Sequence, residues 1–152
     1  MHPILKTLRR SEEYRRLCAA VAESRGPVSV FGLNEAHKTH MASAIAGETG
    51  ICALYIAQNE PAAISAYEDI SKYNENAMLF PTRDISLAAN AYAVSAEIEM
   101  RRIEVLSRLS EGAPCFIVAP IEALLQRLVR PAVLNSFIHT LRIGDSIGPD
   151  EL

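Results

Sequence analysis

Four short apolar runs, at residues 28–31, 51–57, 77–80 and 115–119, are separated by stretches whose apolar residues recur at helical spacing. That alternation restricts the chain to βαβ units. Such units imply an α/β fold, a mostly parallel sheet with helices on both faces and right-handed crossovers. The runs at 51–57 and 115–119 are apolar nearly throughout, the pattern of strands buried on both sides of a sheet. With 152 residues the chain fits one such domain, or one domain and the start of another.

The run at 28–31 leads into Gly32-Leu33-Asn34-Glu35-Ala36-His37-Lys38-Thr39, followed by a helical pattern over about 38–48 that stops at Gly50. This is the strand, loop, helix setting of a phosphate-binding P-loop, G-x-x-x-x-G-K-[ST], with His37 in place of the second glycine. A working loop wraps backbone N–H groups around phosphate, and glycine permits the positive φ and the close approach. Histidine there would cost roughly 1–2 kcal/mol in a left-handed conformation and would occupy the anion's space. Glu35 adds a carboxylate where phosphate should sit. Gly32, Lys38 and Thr39 therefore read as a vestigial, inactive nucleotide site. The octapeptide by itself also fits a strand-to-helix turn with a chance Lys-Thr.

The other helices carry their own signals. Ser11 caps a helix with Glu12 and Glu13 in its first turn and Tyr14, Leu17, Cys18 and Val21 as its stripe. Asn59-Glu60-Pro61 opens one that carries Ile64, Tyr67 and Ile70 to the core. Residues 81–94 read as a surface loop. Ser95 caps a helix that runs to Glu111, with solvent pairs Glu97/Arg101 and Glu104/Arg108 and a buried stripe of Ile98, Val105, Leu106 and Leu109. Arg102 falls inside that stripe, so its guanidinium must snorkel out or meet a carboxylate. Asp84 is the first candidate for a structural ion pair with Arg102, and Glu99 the second. Ile121, Leu124, Leu125 and Leu128 line a further helix, and a short one covers 132–136. These patterns put an α/β domain at residues 1–138 and the start of a second, truncated domain at 139–152. The closing Pro149-Asp150-Glu151-Leu152 is a helix-start pattern with no helix after it, as at a boundary within a longer protein.

Several function classes are disfavoured. Fifteen Lys and Arg against 18 Asp and Glu give a net charge of -3 and no global pull towards nucleic acid. Arg9, Arg10, Arg15 and Arg16 read as a solvated helix face. Cys18, Cys52 and Cys115 are far apart in sequence, without C-x-x-C spacing, and read as small buried thiols of a reduced, cytoplasmic protein. No apolar run approaches the roughly 18 residues of a membrane span. His37 and His40 lack a third ligand nearby, so no metal is expected. No strand ends in the acid an NTPase needs for Mg²⁺: Gln58, Pro81 and Pro120 follow the later runs. Acid pairs Glu12-Glu13 and Glu97/Glu99 fit helix starts, where they offset the macrodipole.

The segments 28–39, Phe80-Pro81-Thr82-Arg83-Asp84, 95–109, 116–127 and Leu141-Arg142-Ile143-Gly144-Asp145 together resemble, in one uninterrupted order, the N-terminal UvrB-like module (domain 1A) of bacterial transcription-repair coupling factors (Mfd). The resemblance implies a parallel-sheet, RecA-like, three-layer helicase-type domain with a degenerate phosphate loop. UvrB itself fits less well. His37 denies it an intact P-loop, and residues 81–94 hold only Tyr92 as an aromatic, too little for UvrB's DNA-gripping hairpin. The resemblance also implies a parent that is an ATP-dependent DNA translocase, releases stalled RNA polymerase and recruits UvrA for nucleotide excision repair. ATP and Mg²⁺ would belong to the parent's motor, and no cofactor to this part. RNA polymerase and DNA would be met elsewhere in the parent, and UvrA mostly by the second domain. On this reading the 152 residues are a non-catalytic scaffold. The alternatives are a small nucleotide-binding P-loop enzyme that still uses Lys38 and Thr39, and an unrelated α/β binding module.

Overall fold

The computed structural model describes residues 5–24, 26–83 and 91–137. In chain order the elements are α1 (Leu5–Leu8), α2 (Glu12–Ala22), α3 (Glu35–Thr49), β1 (Ala53–Ala57), α4 (Glu60–Ser71), β2 (Ala77–Leu79), α5 (Ala91–Ser110), β3 (Phe116–Pro120), α6 (Ile121–Leu125) and α7 (Pro131–Ser136). Asp84, the first expected partner of Arg102, lies outside the described residues, as do Tyr92's side chain and residues 138–152.

The three strands form a parallel sheet in the order β1-β3-β2. Apolar content decides which strand is central: all five residues of β3 are buried. Helices cover both faces. On one, Ala46 of α3 and Ala63, Ala66 and Ile70 of α4 pack on Ala57, Phe116 and Val118. Alanines at the contact let the two helices approach closely, and Ile70, fully buried, contributes about 1.5–3 kcal/mol by its burial. On the other face Val105 of α5 and Ala123 of α6 meet Phe80, Cys115, Ile117 and Ala119. The result is a three-layer α/β arrangement consistent with a RecA-like fold. A smaller cluster joins α2 to the back of α3 through Tyr14 and Ala44.

Five expectations need correction. Residues 28–31 do not join the described sheet. They carry no regular secondary structure between Pro27 and Gly32, with Phe31 88% exposed, and line an apolar cavity of about 530 Å³ with Leu17 and Ala20 of α2 and Met41 of α3. All four residues are exposed, and Pro27 beside them has no N–H to give to a ladder. The helix expected to start at Ser95 is already formed at Ala91, so Glu97 and Glu99 lie in its interior rather than at its positive end. Their partners are arginines instead: Arg101 for Glu97 and Arg83 for Glu99. On α4 the core stripe is Ala63, Ala66 and Ile70, while Ile64 is exposed. Helix α6 ends at Leu125, which is 80% exposed, and only Ala123 on it is buried. The cysteines differ too, since Cys52 is exposed and lies beside Cys115 at the start of neighbouring strands.

Candidate functional site

Open α/β sheets bind ligands outside the carboxyl ends of their strands. At that end of β1 the structure has a cavity of about 600 Å³, whose lining includes Glu35, Lys38 and Thr39 from α3, Tyr55 and Gln58 from β1 and the turn after it, and Asp69 from α4. Of the three residues singled out as a vestigial nucleotide site, Lys38 and Thr39 line this cavity and Gly32 does not. Gly32 precedes α3 in the chain and has φ 81, in the left-handed region that favours glycine.

The octapeptide does not form a phosphate loop. Helix α3 begins at Glu35, three residues before the expected start, because Asn34 is an effective N-cap: its extended backbone (φ -80, ψ 172) lets Oδ1 accept the His37 N–H at 2.8 Å. The Asn34 carbonyl accepts the Lys38 N–H at 3.0 Å. Two N–H groups that a phosphate loop would turn towards the anion are thus spent inside the helix. His37 occupies the third helical position, exposed and without a positive φ. The strain expected of it does not arise, since the chain never makes the turn that called for glycine.

The side chains are engaged in the same local way. The Lys38 Nζ donates to Glu35 Oε1 at 2.6 Å, and that hydrogen bond holds the ammonium above its usual pKa. The Thr39 hydroxyl is buried and donates to the Ala36 carbonyl at 3.0 Å, a back-bond within the helix. Asp69 is paired with Lys72 at 2.9 Å. Tyr55 is half-buried, and desolvation first, then the Glu35 charge, pushes its phenol above the usual value. The lining carries two carboxylates against one ammonium, an unfavourable setting for a polyphosphate.

At the same end of the sheet, on the α5 face, Arg102 is 2% exposed, as the helical stripe implied. Its Nη1 donates to the Pro81 carbonyl at 2.6 Å, and its guanidinium carbon lies 4.1 Å from the centroid of the Phe80 ring. Its Nη2 is buried without a hydrogen-bond partner among the described residues. Burial, then the neighbouring Arg83 charge, pulls its pKa below the usual arginine value, opposed by Glu99 and Glu60. Glu99 is not a direct partner of Arg102, because Arg83 holds it with Nε at 2.7 Å and Nη2 at 3.1 Å.

The segment from Phe80 to Arg83 is fastened at every residue. Phe80 N–H reaches the Val118 carbonyl at 2.8 Å, and Thr82 gives both its N–H and its hydroxyl to Glu60 Oε2 at 3.0 and 2.6 Å. Gln126 Oε1 accepts the Arg83 N–H at 3.0 Å. The roles of Glu60, Phe80 and Gln126 were missed in sequence. Phe80 alone had a usable signal, since alternation with Met78 puts it on the α5 face.

The remaining candidates are placed as follows. Arg9 pairs with Glu48 at 2.7 Å, and Arg16 pairs with Glu12. His40 lies against the Tyr73 ring at 5.3 Å. Among the described residues no three His, Cys, Asp or Glu side chains cluster as metal ligands, and no helix is long and apolar enough to cross a membrane.

Compared with known proteins, the chain is similar to the transcription-repair-coupling factor of Bacillus subtilis (strain 168), with 24% identity over 154 aligned positions. The alignment covers 100% of this chain, which spans 13% of the length of that relative. No family model matches the chain. No solved structure matches it either. The alignment, which runs the whole length of this chain, supports a relationship to the coupling factors.

Proposed function

We propose that this chain is the first α/β domain of the UvrB-like module of a transcription-repair coupling factor, acting in the cytoplasm as a scaffold without catalysis of its own. The relationship rests on an alignment that runs the whole length of the chain. The non-catalytic reading is carried by one observation: Lys38 is bonded to Glu35 and Thr39 to the Ala36 carbonyl, within a helix capped before the loop can form. Offering the His37 and Lys38 backbone N–H groups to a phosphate would require unwinding the first turn of α3. A small P-loop enzyme is less well supported, because the cavity adds a second carboxylate, Asp69, and among the described residues no strand runs into an acid for Mg²⁺.

In this reading the parent is an ATP-dependent DNA translocase that releases stalled RNA polymerase and recruits UvrA, with ATP, Mg²⁺, DNA and polymerase bound by other parts. The chain supplies the rigid platform on which the second domain presents its UvrA-binding surface. Residues 80–83, fastened to α4, α5 and α6, are the rigid end of that platform. Interface energy concentrates in a few central residues, so a chain without that surface should lose most of the affinity. Titration of UvrA should therefore give weak or no binding to residues 1–152 and clear binding to a longer chain that continues through the second domain. Equal affinity of the two would overturn the scaffold assignment.

A further inference from the structure

Cys52 and Cys115 are 63 positions apart in sequence, yet their sulfurs lie 2.6 Å from each other. The sheet explains the meeting. Ala53 of β1 is in register with Phe116 of β3, so the residues one position earlier, Cys52 and Cys115, are lateral neighbours on the same face. Adjacent strands run about 4.7–4.9 Å apart, within the roughly 4.4–6.8 Å between α-carbons that a disulfide spans. The Ala53 N–H bond to the Cys115 carbonyl, at 3.1 Å, fixes the two backbones at this point.

From this juxtaposition we propose that Cys52 and Cys115 are a covalent modification site, a thiol pair that closes to a reversible cross-strand disulfide when the protein meets a hydroperoxide. The roles divide by exposure. Cys52 is exposed and open to a small oxidant, whereas Cys115 is 4% exposed. Burial, then the neighbouring Cys52, pushes the Cys115 thiol up to about 12, so it stays protonated and does not attack first. A cavity of about 520 Å³ lined by Ile51, Pro114 and Cys115 opens beside the pair and gives water and oxidant a way in.

The chemistry balances in two steps. The Cys52 thiolate attacks one oxygen of hydrogen peroxide and the O–O bond breaks, giving a sulfenic acid on Cys52 and a hydroxide that is protonated to water. The Cys115 sulfur then attacks the Cys52 sulfur, the S–O bond breaks, and the departing hydroxide takes the Cys115 proton as a second water. Two thiols lose two electrons and the peroxide gains them. A dithiol reductant reverses the bond by thiol–disulfide exchange. The cross-link would tie edge strand β1 to central strand β3 at the end of the sheet opposite the Lys38 cavity, and it does not depend on the function proposed above.

The test exposes the chain to hydrogen peroxide under native conditions, then blocks the remaining thiols by alkylation and maps peptides without reductant. The expected result is a chain about 2 Da lighter before alkylation, then a Cys52–Cys115 linked peptide with Cys18 alkylated, and full recovery on adding dithiothreitol. Cys52→Ser should form no linked peptide and keep Cys115 alkylatable, while Cys18→Ser should behave as wild type. Retention of both thiols at peroxide levels that oxidise free cysteine would overturn the proposal. So would progression of Cys52 to sulfinic acid with Cys115 still reduced.

Discussion

Replacing Arg102 with alanine should destabilise the domain by about 2–4 kcal/mol. The guanidinium hydrogen bond to the Pro81 carbonyl is a charge-assisted one, worth about 1.5–3 kcal/mol, and its loss leaves a carbonyl of a buried residue without that donor. Stacking on Phe80 in a desolvated setting adds about 1–2 kcal/mol. Against these stands the relief of burying a charge whose Nη2 has no hydrogen-bond partner among the described residues, about 1–3 kcal/mol. Loss of the packed stem tips the balance further towards destabilisation. The controls are Arg101→Ala and Arg108→Ala on the exposed side of α5, where Arg101 pairs with Glu97 across one turn, and each should cost under about 1 kcal/mol. Urea unfolding measures all three, with the slope required to stay constant so that a shifted midpoint reports stability. Equal midpoints would refute the reasoning, because Arg102 would then be an ordinary surface residue. Arg102→Met separates the terms further: it keeps the stem and removes the charge, so its loss should fall below that of the alanine variant.

Two further predictions follow from α2 and α3. Reverting His37 to glycine should not create ATP hydrolysis and should instead cost roughly 0.5–1 kcal/mol, because the position is the third residue of a helix rather than a turn; turnover or a gain in stability would contradict this. Tyr14 is 3% exposed, and burial first, then Cys18 beside it, raises its phenol pKa well above the usual value of about 10. The folded state therefore keeps that proton when the unfolded chain has lost it, so the stabilisation is complete below about pH 10 and is lost progressively above it. In urea melts taken across that range Tyr14→Phe should flatten the decline, and an unchanged slope with pH would count against a buried neutral phenol.

Legibility of the fold differed by element, for physical reasons. The runs that became β1, β2 and β3 were readable because each is followed or preceded by a helix that can cover it. The run at 28–31 satisfies the same template but is bounded by Pro27 and by Gly32 at φ 81, and its side chains stay exposed beside a cavity that α2 also lines. The α3 boundary was misplaced because the motif assigned Asn34 and Glu35 to a loop, whereas as cap and first residue they are a strong helix start. Burial of Arg102 was legible from its place on a 100° helical stripe. Its partners were not, because a backbone carbonyl and the face of an aromatic ring leave no periodic trace. The thiol pair was invisible for a different reason: it depends on strand order, and nothing in the chain's local patterns says that β1 lies beside β3.

The central claim, that the Lys38–Thr39 region is a disused nucleotide site, is tested most directly by thermal unfolding of the chain across a MgATP series. If Lys38 and Thr39 are committed to Glu35 and the Ala36 carbonyl, the midpoint should not move up to millimolar nucleotide. A true binder at 100 times its Kd gains about 2.7 kcal/mol, which for a domain of this size would raise Tm by about 5–11 °C. A rise of that size, or a Kd below about 100 μM, equivalent to roughly 5.5 kcal/mol of binding, would contradict the account.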